Sequence, residues 1–133
     1  MPYVVLVTLA ALLQYLWFGW RVGMARSRYN IAAPATTGNE IFERYYRVHM
    51  NTLEQLVLFL PLLWLFAHLV SFNYAAILGA VFVIGRALYA IGYVRDPKKR
   101  SAGFALTALP SMAMLITLLV WTVRTLLQGN GIA

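Results

Sequence analysis

Apolar residues gather in four long blocks, at about 3–20, 53–70, 74–93 and 104–127, with short polar stretches between them. Each block approaches the roughly 20 residues that a helix needs to cross a hydrocarbon core of about 30 Å. With their flanking turns they predict helices over about 3–26, 38–70, 74–95 and 97–127. The fold class is therefore an all-α membrane protein, a four-transmembrane-helix bundle occupying 1–133 as one domain. The first block resembles a signal peptide only in length. Met1-Pro2-Tyr3 carries no Lys or Arg, and Arg21, Arg26 and Arg28 follow the block rather than precede it, so it reads as a retained span.

Local signals refine the boundaries. Thr37 and Glu40 have the Thr-x-x-Glu spacing of a capping box, which predicts the start of the second helix there. Such a helix, about 48 Å long at its ~1.5 Å rise per residue, overshoots the bilayer core, so its first turns project from the membrane. Pro61 and Pro110 fall inside helices, where membrane proteins tolerate bends. Asp96-Pro97 reads as the N-cap and first residue of the fourth helix, and 129–131 as an unstructured tail.

Composition agrees with the pattern. Apolar residues make up 62% of the chain and charged residues 11%, against roughly half and a quarter in soluble domains. No cysteine is present, which excludes disulfides, thiolate metal sites and a cysteine nucleophile. The net charge of +7 is placed unevenly. Arg21, Arg26, Arg28, Arg44 and Arg47 surround the first connection, and Arg95, Lys98, Lys99 and Arg100 crowd the third; the second has neither Lys nor Arg. By the positive-inside rule the first and third connections are cytoplasmic and both termini lie outside. Because these cations sit at membrane boundaries, they read as topology determinants rather than as a nucleic-acid surface.

Two polar stripes run into the apolar blocks. Arg47, Asn51 and Glu54 are spaced i, i+4, i+7 and share one helix face within about 60°, at ~100° per residue. A carboxylate inside a membrane span costs a few kcal/mol unless it finds a partner, so such groups point to function; the bland alternative is that Arg47 and Glu54 lock helices together. Arg86, Tyr89 and Tyr93, spaced i, i+3, i+7, form the second stripe. Here the alternative is an interfacial tyrosine belt, although an arginine on the same face would be costly against lipid. His49 and His68 lack metal-ligand spacing, so no metal is expected. Trp17, Trp20 and Trp64 read as packing or interfacial anchors. Arginines, tyrosines, an asparagine and a glutamate thus converge on one boundary, a composition suited to a small anionic molecule, since guanidinium forks match carboxylates.

The run Phe42-Glu43-Arg44-x-x-Arg47-x-x-x-Asn51-x-x-Glu54 resembles the signature of the MAPEG family, membrane-associated proteins in eicosanoid and glutathione metabolism. Val22-Gly23-x-Ala25-Arg26 and Pro34-x-Thr36-Thr37-Gly38 precede it as in that family. Gly85-Arg86-x-x-Tyr89-x-x-Gly92-Tyr93 and Lys98-Lys99-Arg100-x-x-Gly103-Phe104 follow it in the same order. Within the family the chain is most similar to the microsomal glutathione transferases and the glutathione-conjugating leukotriene synthase. It departs from the latter at His49 (a glutamine there), Gln55 (an aromatic) and Ser27 (a second arginine), changes that bear on the acceptor substrate more than on glutathione.

The resemblance implies a homotrimer with a glutathione site at each subunit interface on the cytoplasmic side. Arg47, Asn51, Glu54, Arg86, Tyr89, Tyr93 and Arg100 would come from one subunit, and Arg26 and His49 from its neighbour. Arg100 is the implied catalytic residue, stabilising the thiolate of glutathione, the cosubstrate. The implied activity is conjugation of glutathione to a lipophilic electrophile from the bilayer, a detoxification reaction, with lipid hydroperoxide reduction as a further activity. The expected location is a bacterial inner membrane, or an endomembrane in a eukaryote. Two other readings stand beside this one: a non-catalytic lipid-binding scaffold of the same family, which the presence of Arg100 disfavours, and a small transporter, which leaves Tyr89, Tyr93 and Glu54 without a role.

Overall fold

The computed structural model describes residues 1–129. Four long helices follow one another, α1 (Pro2–Tyr29), α2 (Glu40–Leu69), α3 (Phe72–Arg95) and α4 (Ser101–Leu127), and a single 3-10 turn (Pro97–Arg100) leads into α4. All four are long and apolar enough to cross a membrane, with mean hydropathy between 1.6 and 2.0. Large apolar side chains stand exposed along their outer faces, among them Leu6, Leu13, Val57, Ile77, Leu109 and Leu119. Outward apolar stripes on every helix belong in lipid, not water. The protein is an integral multi-pass membrane protein.

The helix ends differ from the sequence expectation in instructive ways. Asn39, not Thr37, caps α2: its Oδ1 accepts from the amides of Ile41 at 2.9 Å and Phe42 at 3.0 Å. The short amide side chain reaches two of the orphan N–H groups that any helix start must satisfy. Asp96 does cap the next element, accepting from Lys98 N at 3.1 Å, but that element is the 3-10 turn. Arg100 consequently stands at the junction before α4 rather than inside it. Of the tail expected over 129–131, Gly129 closes a turn, and the other two positions lie outside the described residues.

Helices α2 and α3 form the centre of the bundle, each packed against the other three helices. The main contact between α2 and α3 is a core centred on Phe59 stacked on Phe82, ring centroids 3.7 Å apart. Polar side chains join the helices where lipid supplies no hydrophobic drive for their association: Gln14 Nε2 donates to the Val83 carbonyl at 3.0 Å, and Trp64 Nε1 donates to Thr8 Oγ1 at 3.2 Å. Contact between α3 and α4 depends on glycine. A Cβ on Gly103 would overlap the Tyr89 backbone nitrogen, and one on Gly85 would lie 2.7 Å from the Leu106 carbonyl carbon. A Cβ on Gly92 would likewise come within 2.6 Å of the Lys99 oxygen. These three small residues let the backbones touch, and the touch brings Arg100 and Phe104 beside Tyr89 and Tyr93.

Candidate functional site

The cleft formed by this approach has a volume of about 420 Å³ and is lined by Arg47 and Asn51 of α2, Tyr89 and Tyr93 of α3, Arg100 of the 3-10 turn and Phe104 of α4. A smaller cavity of about 270 Å³ adjoins it through the shared Arg47 and Tyr93, and adds Glu40, Glu43, Arg44 and Pro97. Two guanidiniums, two phenols and an amide thus face one space from three elements.

The walls are held from behind. Arg86 is fully buried. Its Nη1 donates to Asn51 Oδ1 at 2.9 Å and its Nη2 to Thr52 Oγ1 at 2.8 Å. Thr52 in turn donates to the Val48 carbonyl at 2.7 Å. The Arg86 guanidinium also lies 4.2 Å from the centroid of the Tyr89 ring, and Tyr89 stacks on Tyr93 at 5.5 Å. Among the described residues no carboxylate pairs with Arg86, so an amide, a hydroxyl and an aromatic face share the task of stabilising a buried cation. Arginine has donors only, which fixes the oxygen of Asn51 toward it and leaves the Asn51 NH₂ for the cleft.

Arg44 ties the mouth of the cleft together. Its Nη1 donates to the carbonyls of Val94 and Arg95 at 3.1 and 3.2 Å, at the C-terminal end of α3, and its Nη2 pairs with Glu40 at 2.9 Å. A cation on otherwise orphaned carbonyls satisfies them and complements the negative end of the helix dipole.

Of the residues singled out from sequence, Arg47, Asn51, Tyr89, Tyr93 and Arg100 are brought together in the cleft. Arg86 lies one layer behind it. Glu54 is exposed and lines no part of it. His49 faces another way, since two residues turn an α-helix by about 200° from Arg47. It stacks on Tyr15 at 4.5 Å and lines an outer groove of about 690 Å³ with Leu16, Gly19, Trp20, Gly23, Met24 and Ser27. Arg26 donates to the Ala35 carbonyl at 2.7 Å and covers the Phe42 ring, which fastens the first connection to α2. Phe104 belongs to the cleft without having been singled out as a site residue; its only sequence signal is its place after Gly103.

The fold and site together define a four-helix membrane bundle with an arginine- and tyrosine-lined cleft at one end. The chain belongs to the MAPEG family, whose model matches residues 4–120. It is 51% identical over 126 residues to an uncharacterized protein of Synechocystis sp., covering 92% of each chain. It is 39% identical to microsomal glutathione S-transferase 2 of Mus musculus, covering 82% of this chain and 78% of that one. Leukotriene C4 synthase of Bos taurus is 33% identical, with 93% of this chain and 88% of that one covered.

Proposed function

We propose that the protein is a membrane-bound glutathione transferase that joins glutathione to a lipophilic electrophile, with Arg100 stabilising the thiolate. The observation that carries this reading is the convergence of Arg47, Asn51, Tyr89, Tyr93 and Arg100 on one cleft. The similarity to microsomal glutathione S-transferase 2 supports the choice of thiol.

Glutathione brings carboxylates and a thiol, and the cleft offers matching partners. Arg47 presents a fork for a carboxylate, and the Asn51 NH₂ and the tyrosine hydroxyls supply further donors. A thiol of pKa near ~8.5 is mostly protonated at neutral pH, and only its thiolate is an effective nucleophile. The Arg100 guanidinium, next to the positive end of α4, favours the anion and lowers that pKa; a drop of one unit needs only about 1.4 kcal/mol. The thiol proton leaves to solvent, the sulfur forms a bond to the electrophilic carbon, and the leaving group or opened ring takes the displaced electron pair. Phe104 supplies an apolar wall between the polar cleft and the bilayer, where the electrophile would enter. The same thiolate would also attack a lipid hydroperoxide, releasing the lipid alcohol and leaving a sulfenic acid on glutathione, which a second glutathione converts to the disulfide and water.

The working unit in this proposal is a homotrimer. His49 and Arg26 point away from the cleft of their own protomer, which supports their assignment to the cleft of a neighbour. Glu54, exposed on the single chain, would meet glutathione at that same interface. The first and third connections would face the cytoplasm of a bacterial cell, where glutathione is available. Conjugation of glutathione to an electrophilic halonitrobenzene by the detergent-purified protein tests the reading. Activity in the native protein and its loss in a folded Arg100→Ala variant are expected; a fully active Arg100→Ala protein would overturn it.

A further inference from the structure

A third cavity, about 210 Å³ in volume, opens on the outer side of α1 and α2, lined by Arg21, Met24, Ala25, Arg28, Tyr29 and Tyr45. Tyr45 stands two residues before Arg47 but on the opposite side of α2, so this cavity is level with the catalytic cleft and separate from it. Arg21 is held in place, with its Nη2 donating to the Tyr45 hydroxyl at 3.2 Å and its guanidinium 4.8 Å from the centre of the same ring. Arg28 lies over the Tyr29 ring at 5.9 Å.

Among the described residues, neither cation is paired with a carboxylate. The chain has four acidic residues in all. Glu40 pairs with Arg44, Glu43 lines the mouth of the cleft, and Asp96 caps the 3-10 turn. Glu54 is nine residues beyond Tyr45, about 13 Å along α2 and half a turn round it. Two arginines and a phenol whose proton remains free to donate therefore face a cavity with no carboxylate among its lining residues.

Depth and neighbourhood identify the class of ligand. Trp17 and Trp20, 53% and 67% exposed, stand just below Arg21 and mark the aromatic level of the membrane–water boundary. Leu6, Leu13, Trp17 and Met24, spaced i, i+7, i+11, i+18, form one exposed apolar stripe along α1 that ends at the arginines. Cations at head-group depth above an apolar track fit a molecule with a phosphate at one end and hydrocarbon at the other. We propose that this cavity binds an anionic glycerophospholipid, its phosphate between Arg21 and Arg28 and an acyl chain along the Leu6–Met24 stripe. Free phosphate would use the arginines but not the stripe. Arg21, Arg28 and Tyr45 take no part in the glutathione reading; of the stripe, Met24 also borders the His49 groove.

Native mass spectrometry of the whole protein, equilibrated in detergent with equal amounts of phosphatidylglycerol and phosphatidylcholine, tests it. The native protein should retain phosphatidylglycerol roughly tenfold over phosphatidylcholine. That preference should vanish in an Arg21→Gln/Arg28→Gln variant and persist in Lys98→Gln/Lys99→Gln, which removes equal charge at the third connection. An unchanged elution volume in size exclusion and an unchanged thermal unfolding midpoint report that the arginine variant is folded and assembled. Should that variant fail to assemble, Tyr45→Phe, which removes only the hydroxyl, is expected to weaken the preference partially. Equal retention of both lipids by the native protein would overturn the proposal, as would an equal loss of preference in the lysine variant. Displacement of phosphatidylglycerol from the native protein by millimolar inorganic phosphate would likewise overturn it and make the cavity a free-anion site.

Discussion

The buried guanidinium of Arg86 donates to Asn51 Oδ1 at 2.9 Å and thereby fixes which end of the Asn51 amide faces the cleft. Replacing Arg86 with Met removes that constraint and strands the Asn51 oxygen and the Thr52 hydroxyl acceptor. Global stability should change by no more than about 2 kcal/mol, because a costly buried cation disappears along with its hydrogen bonds. The KM for glutathione should rise about tenfold, the equivalent of ~1.4 kcal/mol of lost binding, while kcat stays near its native value. Arg86→Lys, which still offers a donor, should recover part of the loss. Steady-state kinetics on the three proteins decide the matter, and an unchanged KM in Arg86→Met would exclude the positioning role.

Arg47 and Arg100 line the same cleft but carry different duties in the proposed reaction. Loss of Arg100 removes stabilisation of developing or standing negative charge at sulfur, a role whose deletion costs on the order of 100-fold in kcat in comparable sites. Loss of Arg47 removes a carboxylate partner that is engaged throughout, and should raise KM with less effect on kcat. Full kinetic profiles of Arg47→Ala and Arg100→Ala would separate the two, and identical profiles would argue against distinct roles.

Gly103 meets the backbone of Tyr89 at the α3–α4 crossing. Since the obstacle is main chain rather than a movable side-chain tip, Gly103→Ala must force the helices apart. A cost of about 1–3 kcal/mol is expected, read as a lower midpoint of thermal unfolding in detergent. Activity should fall together with stability, because the same crossing sets Arg100 and Phe104 beside Tyr89.

How much of this was legible beforehand follows from what each signal encodes. The four spans were readable because crossing a bilayer demands about twenty apolar residues, a constraint that soluble helices do not impose. Helix starts were less readable. Thr37 and Asn39 are both good caps, and only the local backbone decides that Asn39 Oδ1 reaches the amides. The Arg86, Tyr89, Tyr93 spacing correctly put three residues on one face, but angular spacing carries no depth, and Arg86 proves to be buried behind the wall rather than in it. Glu54 shows the same limit: it shares an angle with Arg47 yet lies two turns further along. His49 and Arg26, which the family resemblance assigns to a glutathione site, are turned away from the cleft within the protomer. Phe104 is one apolar residue among many, with no chemical mark to distinguish it.

If neighbouring subunits complete each cleft, defects on the two sides should complement. In a mixed oligomer, a subunit carrying His49→Ala keeps its own Arg100, and one carrying Arg100→Ala still lends its His49. Co-expression of two inactive or weakened variants should therefore restore part of the native activity. Complete absence of restoration in demonstrably mixed oligomers would contradict the interface assignment.

The most direct test of the central claim is ultraviolet difference absorbance of the glutathione thiolate, recorded while glutathione is titrated into the purified protein at neutral pH. A saturable thiolate signal in the native protein, absent from folded Arg100→Ala, is the result this account predicts. A folded native protein that gives no thiolate signal at saturating glutathione would contradict it, and would turn attention to the lipid-binding surfaces of the bundle as its working parts.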